Sequence, residues 1–221
     1  MANGASGRRL IELTSEAWWR ALSALLLLGP GTPLIFQGQE RGTTTPFRYF
    51  ADHAPDLQQA VRSGRRTFLE QFPRFVSSHP PSTEGEDIGW SVFDACRTAD
   101  TAARAPRCRR LYADLLALRR DDPAIASPRR LAGTTLGDRT LLLRYFGAED
   151  AGDRLLVVTL DSDVDLAAQP EPLVAPPAAR PWQIAWCSED AHYGGSGRAA
   201  VDPPSRLMAT GHAATLLAPR P

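Results

Sequence analysis

Lysine is missing from all 221 residues, so every one of the 25 formally basic side chains is an arginine. We read this as the codon bias of a GC-rich genome, with arginine-specific recognition of phosphate or carboxylate as the lesser reading. An excess of either charge is missing too. The 25 acidic residues balance the arginines, which removes nucleic acid and anionic membranes as default partners. Cysteine is scarce: Cys96, Cys108 and Cys187 form no C-x-x-C and keep no regular spacing. Reduced structural thiols in a cytoplasmic protein are expected, with no metal site and no cofactor. Long apolar runs are lacking as well. Ala21 to Leu28 follows Arg8 and Arg9, but Glu12, Glu16 and Arg20 interrupt a leader-like pattern and no small-residue cleavage site follows. The run is also too short to cross a bilayer. No internal repeat is found.

With 43% hydrophobic and 23% charged residues the chain can bury a real core, as one large or two small domains. It is organised around Leu25 to Glu40, where an apolar helix end meets Gly29-Pro30-Gly31, a short apolar segment Thr32 to Gln37, and then Gly38-Gln39-Glu40. That order predicts one helix-to-strand unit of a parallel α/β barrel, in which sites lie at the C-terminal ends of strands. Ser15 is the expected N-cap and Glu16 suits the first turn. Trp18, Leu22, Leu25 and Leu26 share one side at helical spacing and predict the inward face. Thr32 to Gln37 lacks alternation, as a strand buried on both faces does. Such a strand needs two neighbours, and no comparable strand precedes it; the chain is expected to begin part-way through a fold.

Arg41 to Ala54 reads as a polar and aromatic loop of the length that usually carries function. Pro55 opens a helix with Leu57, Val61, Gly64 and Phe68 as its apolar stripe, and Pro73 ends it. Arg74 to Arg104 is rich in Pro, Ser and Thr, with Ile88, Trp90, Val92 and Phe93 as expected packing anchors. A third helix is predicted from Pro106 through Leu111, Leu115 and Leu118 to Arg120. After Pro128 the period changes. Arg130–Thr134, Thr140–Phe146, Arg154–Leu160, Trp182–Trp186 and Ala213–Leu217 predict short strands of an antiparallel sandwich, joined in part by the proline-rich stretch 170–181. Trp182 and Trp186, four apart on a strand of period two, are expected on one face as sandwich core rather than as an exposed sugar platform.

Gly29 to Glu40 is similar to the last barrel strand of the α-amylase family. The sequel Thr45-Pro46-Phe47-Arg48-Tyr49-Phe50-Ala51-Asp52-His53 resembles that of the malto-oligosyltrehalose trehalohydrolases, and Gly64-Arg65-Arg66 with Phe68 and Phe72 continues it. Trp186-Cys187-Ser188-Glu189-Asp190 with Tyr193-Gly194-Gly195 resembles the small β-sandwich that follows their barrel. The resemblance implies an α+β chain: a helical remnant of the C-terminal end of a (β/α)8 barrel over 1–124, then an antiparallel β-sandwich over 125–221. It implies a retaining hydrolysis of the α-1,4 bond next to the terminal trehalose, by two carboxylates about 5–5.5 Å apart. In that family the catalytic groups lie on the fourth, fifth and seventh strands, all ahead of the helix at Glu16. Asn3-Gly4-Ala5-Ser6-Gly7-Arg8-Arg9 holds no Asn-His-Asp and matches at best the tail beyond the seventh-strand motif. No catalytic residue is therefore assigned.

Six residues remain as substrate-binding candidates: Glu40, Phe47, Tyr49, Phe50, Asp52 and His53. Aromatic rings would stack on sugar faces and Asp and His would exchange hydrogen bonds with hydroxyls, with maltooligosyl trehalose or an α-glucan as the ligand of an intact enzyme. The plain readings stand beside these. Glu40 also suits a rim residue paired with an Arg, and the loop suits simple packing. His79, His192 and His212 are too scattered for a metal, Glu189-Asp190 reads as a turn, and Cys187 as a small buried residue. Two further readings of the chain are kept, a carbohydrate- or partner-binding β-sandwich module and a remnant without function.

Overall fold

A computed structural model describes residues 6–72, 87–97, 103–148, 152–177, 180–197 and 207–220. His79, Pro73 and the stretch Asn3-Gly4-Ala5 lie outside them. The chain forms two compact units, Met1–Leu13 with Thr43–Ala102, and Thr14–Gly42 with Ala103–Pro221. The second crosses the 124/125 division drawn from the sequence, because α2 (Glu16–Leu28) packs on α5 (Ala105–Asp121) and on two strands of the sheet.

The larger unit is a mixed helix and antiparallel-sheet fold. Its five-stranded sheet runs β1 (Arg130–Leu136), β2 (Thr140–Phe146), β3 (Arg154–Thr159), β7 (Ala213–Pro219), β5 (Trp182–Cys187), and all four ladders are antiparallel. All five strands expected from the sequence form, within a residue or two at their ends. A two-stranded ladder of β4 (Val164–Asp165) and β6 (Met208–Ala209) was not foreseen, since two-residue strands carry no readable period. One face of the large sheet puts Leu142, Leu155, Val157 and Leu217 into a core with Leu166, Val174 and Ala209. The alternate residues Leu156, Val158 and Leu216 point to the opposite face, where α2 packs on β3 and β7.

Two tryptophans depart from expectation. Both are buried, but a bulge between Ile184 and Trp186 inserts one unpaired residue, so Ile184 pairs with Leu217 and Trp186 with Leu216. The insertion flips the strand's parity. Trp182 therefore enters the core beside Val174, to whose carbonyl its Nε1 donates at 2.7 Å, while Trp186 turns to the helical side. There its Nε1 donates to the Tyr193 hydroxyl at 2.9 Å, and that hydroxyl donates to Asp114 of α5 at 2.7 Å.

Helix α2 begins as expected, with Ser15 Oγ accepting from the Trp18 amide at 3.2 Å. Its inward face differs. Trp19, Ala21, Ser23, Ala24, Leu27 and Leu28 are buried, whereas Trp18, Leu22, Leu25 and Leu26 are half-buried. A helix held between another helix and a sheet is covered nearly all round, and its small residues allow the close approach. Ser23 Oγ lies 3.0 Å from the Tyr112 hydroxyl on α5. The helix stops at Gly29, where a Cβ would sit 2.5 Å from the Leu25 carbonyl oxygen. Arg119 of α5 then donates to the carbonyls of Leu27, Gly29 and Gly31 at 2.7, 2.8 and 2.7 Å, satisfying acceptors that a helix end leaves open. A short α6 (Pro123–Ala126) follows α5, capped by Asp122, whose other oxygen takes Arg154 Nε at 2.7 Å.

The segment Thr32 to Gln37 forms no strand. It runs without a ladder and leaves Leu34 84% exposed, because no described strand lies beside it to take its backbone groups. Apolar composition alone does not make a strand.

In the smaller unit, α1 (Leu10–Leu13) precedes the loop, and α3 (Pro55–Glu70) and α4 (Trp90–Ala95) follow it. The expected stripe of α3 is the outer side, with Leu57 52% and Phe68 47% exposed. The inner side is held by Leu69 and two arginines. Arg62 reaches Asp87 at 3.3 Å and Arg65 lies 4.6 Å from the centre of the Tyr49 ring. Of the four expected anchors Ile88 and Val92 are buried and Phe93 is half-buried, but Trp90 is 64% exposed.

Candidate functional site

The loop that follows Gly42 is laced on two sides. On one side Phe47 N donates to Gly7 O at 2.8 Å, Arg9 Nε donates to Thr45 O at 2.8 Å, and the Arg9 guanidinium lies 5.8 Å from the centre of the Phe47 ring. Gly7 has φ +63°, and a Cβ there would sit 2.5 Å from the Phe47 carbonyl carbon, so this crossing requires glycine. On the other side Ala51 N donates to Ile88 O at 2.8 Å and Arg48 N to Cys96 Sγ at 3.2 Å. These ties fix residues 47–51 against 88–96. Asp87 anchors the second segment: its carboxylate accepts from Gly89 N at 3.0 Å and from the Ser91 hydroxyl. The Ser91 bond, then the backbone bond, holds the Asp87 carboxyl below its ordinary value.

Between the two segments lies a cup of about 240 Å³ lined by Phe50, Ala51, Asp52, Ile88, Gly89, Trp90 and Phe93. Phe93 meets Phe50 edge-on at 5.1 Å and Trp90 edge-on at 5.4 Å, both in the T-shaped arrangement that aromatic quadrupoles favour. Phe47 supports Phe50 from behind at 5.6 Å. Asp52 is exposed at the lip.

The structure thus brings together some of the six candidates and separates others. Phe50 and Asp52 line the cup, and Phe47 backs it. Tyr49 turns away to Arg65, and half-buried His53 lies off the lining. Glu40 belongs to the larger unit, in a 3-10 turn, Gln39–Arg41, set between left-handed Gly38 and Gly42. Its carboxylate lies 3.0 Å from Arg41 Nε. Trp90 and Phe93, expected from the sequence as packing anchors, also line the cup; Phe93 is half-buried and Trp90 exposed, a difference that residue type alone does not carry. Among the described residues no group of three His, Cys, Asp or Glu could hold a metal ion. His192 instead lies with Nδ1 2.6 Å from Asp190, and His212 meets Trp18 edge-on at 5.9 Å. Among the described residues no helix is long and apolar enough to cross a membrane.

Comparison with known proteins adds three findings. Residues 128–218 match a family described as "Domain of unknown function (DUF3459)". In sequence the chain is 36% identical over 157 residues to a malto-oligosyltrehalose trehalohydrolase of Deinococcus radiodurans, covering 68% of this chain and 24% of the relative. It is 32% identical over 140 residues to the enzyme of that name from Arthrobacter ramosus, covering 59% of this chain and 23% of the relative. The chain thus spans about a quarter of the length of the curated relatives it matches. In fold it is similar to an α-amylase candidate from Salmonella typhimurium, with TM-score 0.70 and 21% identity over 98% of this chain and 33% of that one. It is similar too to a trehalose-6-phosphate hydrolase of Bacillus licheniformis, with TM-score 0.56 and 15% identity over 96% of this chain and 41% of the other.

Proposed function

We propose that the chain is the C-terminal part of a malto-oligosyltrehalose trehalohydrolase, an enzyme of the α-amylase family, from its likeness to the enzymes of that name. On this reading residues 1–124 are the end of the barrel and 125–221 its following β-sandwich. The enzyme hydrolyses the α-1,4 bond next to a terminal trehalose in the cytoplasm, with maltooligosyl trehalose or an α-glucan as substrate. The observation that carries the reading is the 36% identity over 157 residues, which runs well beyond the 128–218 domain alone. The paired carboxylates that such chemistry needs have no counterpart assigned in this chain. It contributes instead part of the substrate cleft, through the Phe47 to His53 loop and Glu40, and is inactive by itself.

Joining the chain, in one polypeptide or by co-expression, to the upstream three quarters of the Deinococcus radiodurans relative tests this. Trehalose release from maltooligosyl trehalose is expected from the combination and from neither piece alone. Release by this chain alone, or none from the combination, contradicts the proposal. The alternative of a carbohydrate-binding sheet module has less support, since Trp182 and Trp186 are buried and offer no platform.

A further inference from the structure

We propose that the cup beside the loop is a binding site for a single α-glucosyl ring, with Trp90 as its stacking platform and Asp52 as its hydroxyl acceptor. The inference rests on the glycoside-hydrolase reading for the ligand class, and on geometry for the site. Trp90 is the most exposed aromatic side chain among the described residues, at 64%, yet it is not loose: Phe93 holds its ring edge-on at 5.4 Å. Asp87 fixes the start of the helix that carries it, through Gly89 N and the Ser91 hydroxyl. A large aromatic face held rigidly toward solvent lowers the ordering cost that a ligand would otherwise meet.

The shape and chemistry of the cup select its occupant. Its volume of about 240 Å³ falls below the range of roughly 300–1,000 Å³ of pockets that enclose drug-sized ligands, so one ring fits and an oligosaccharide does not. The walls Phe50, Ile88, Trp90 and Phe93 are apolar, and the lip carries the Asp52 carboxylate. A pyranose presents an apolar C–H face to the rings and hydroxyl donors at its edge to the carboxylate, which accepts only. The two walls come from segments far apart in the sequence, 50–52 and 88–93, that are joined by the Ala51–Ile88 bond, so the cup belongs to the folded unit and not to either segment. An organic cation is the other ligand that aromatic rings and a carboxylate can hold, and the test separates the two.

The experiment uses the 221-residue chain. Its tryptophan indole N–H signals are followed by NMR, with the Trp90 signal assigned by loss in Trp90→Phe, while maltotriose, trehalose and tetramethylammonium are added in turn. Saturable movement of the Trp90 signal with the sugars is expected. Trp90→Ala, at an exposed position that leaves the fold intact by circular dichroism, weakens sugar binding about tenfold, a loss of 1.4 kcal/mol. Trp90→Phe recovers part of it, and Asp52→Asn weakens binding without moving the other indole signals. Three results overturn the site: movement with tetramethylammonium alone, sugar-dependent movement of other indoles with Trp90 still, or no movement at all. None of these touches the trehalohydrolase reading, which stands or falls on trehalose release by the joined pieces.

Discussion

Arg20 on α2 and Glu189 after β5 form a buried ion pair across 169 residues of sequence, and Arg20 Nε also reaches the Ser188 carbonyl at 3.1 Å. Glu189 in turn accepts from Ser196 N at 3.0 Å. Removing one partner leaves the other charge buried and alone, which costs roughly 3–5 kcal/mol. Glu189→Ala should therefore lower the urea midpoint of the larger unit sharply. The double change Arg20→Met, Glu189→Leu should recover most of that loss; a double variant no better than the single one would count against the pairing.

Arg119 closes the end of α2 by three carbonyl contacts. A hydrogen bond to a charged group contributes about 1.5–3 kcal/mol, and the contacts share one side chain. Arg119→Ala should cost about 2 kcal/mol by thermal unfolding, and Arg119→Lys should recover only part, because an ammonium cannot spread donors over three acceptors as a planar guanidinium does.

Gly7 can be tested by one methyl group. Gly7→Ala should displace the crossing with Phe47 and speed hydrogen exchange at the Phe47 amide, whose acceptor is Gly7 O. The left-handed backbone adds about 1–2 kcal/mol of its own. Unchanged exchange at Phe47 would refute the tie.

Asp87 supplies a pH prediction. Its folded pKa is held below the ordinary 3.8, first by the Ser91 hydroxyl and then by Gly89 N. A depressed carboxyl adds stability that is present above the unfolded value and lost as pH falls through the folded one, so α4 should loosen only below about pH 4. Ser91→Ala should raise the Asp87 midpoint toward 3.8 when its carboxyl carbon is titrated by NMR; a midpoint that stays put would exclude Ser91 as the cause.

The cysteines give a chemical count of unfolding. Cys96, Cys108 and Cys187 are free and buried, and burial pushes Cys108 up to about 11 and Cys187 upward as well. At about pH 8 a thiol reagent attacks the thiolate, so Cys108 and Cys187 should react no faster than the larger unit opens. Denaturant should then expose all three thiols. Prompt reaction of either in the native chain would place it at the surface.

How much of this could be read from residues alone depended on what each element needs. Strands such as Thr140–Phe146 were legible because local composition and turn residues suffice to mark them. Thr32 to Gln37 is comparably apolar, but a strand is a relation between segments, and no described neighbour pairs with it. The α2 start was legible from Ser15, its face was not, because Ala21 and Ala24 weigh little in a hydrophobic count yet are as fully buried as Leu27 and Leu28. Of the six substrate-binding candidates, Phe50 and Asp52 line a cup and Phe47 packs on Phe50, while Glu40, Tyr49 and His53 do not line it. Trp90 was read as an anchor, and Glu189 as a turn residue, because exposure and burial of single polar or aromatic residues depend on partners far along the chain.

The unpaired residue between Ile184 and Trp186 carries a consequence of its own. Ala185 is exposed, and its side chain is free to vary. Bulged out of the ladder, Ala185 lets a single strand hand one indole to the core and the next to the helices, so β5 works as a rivet through the sheet. Deleting Ala185 would close the bulge yet leave Ile184 opposite Leu217 and Trp186 opposite Leu216, so each indole would keep its face; pairing the five residues from Trp182 to Trp186 without a bulge would instead put both indoles on one face and leave Tyr193 without its donor.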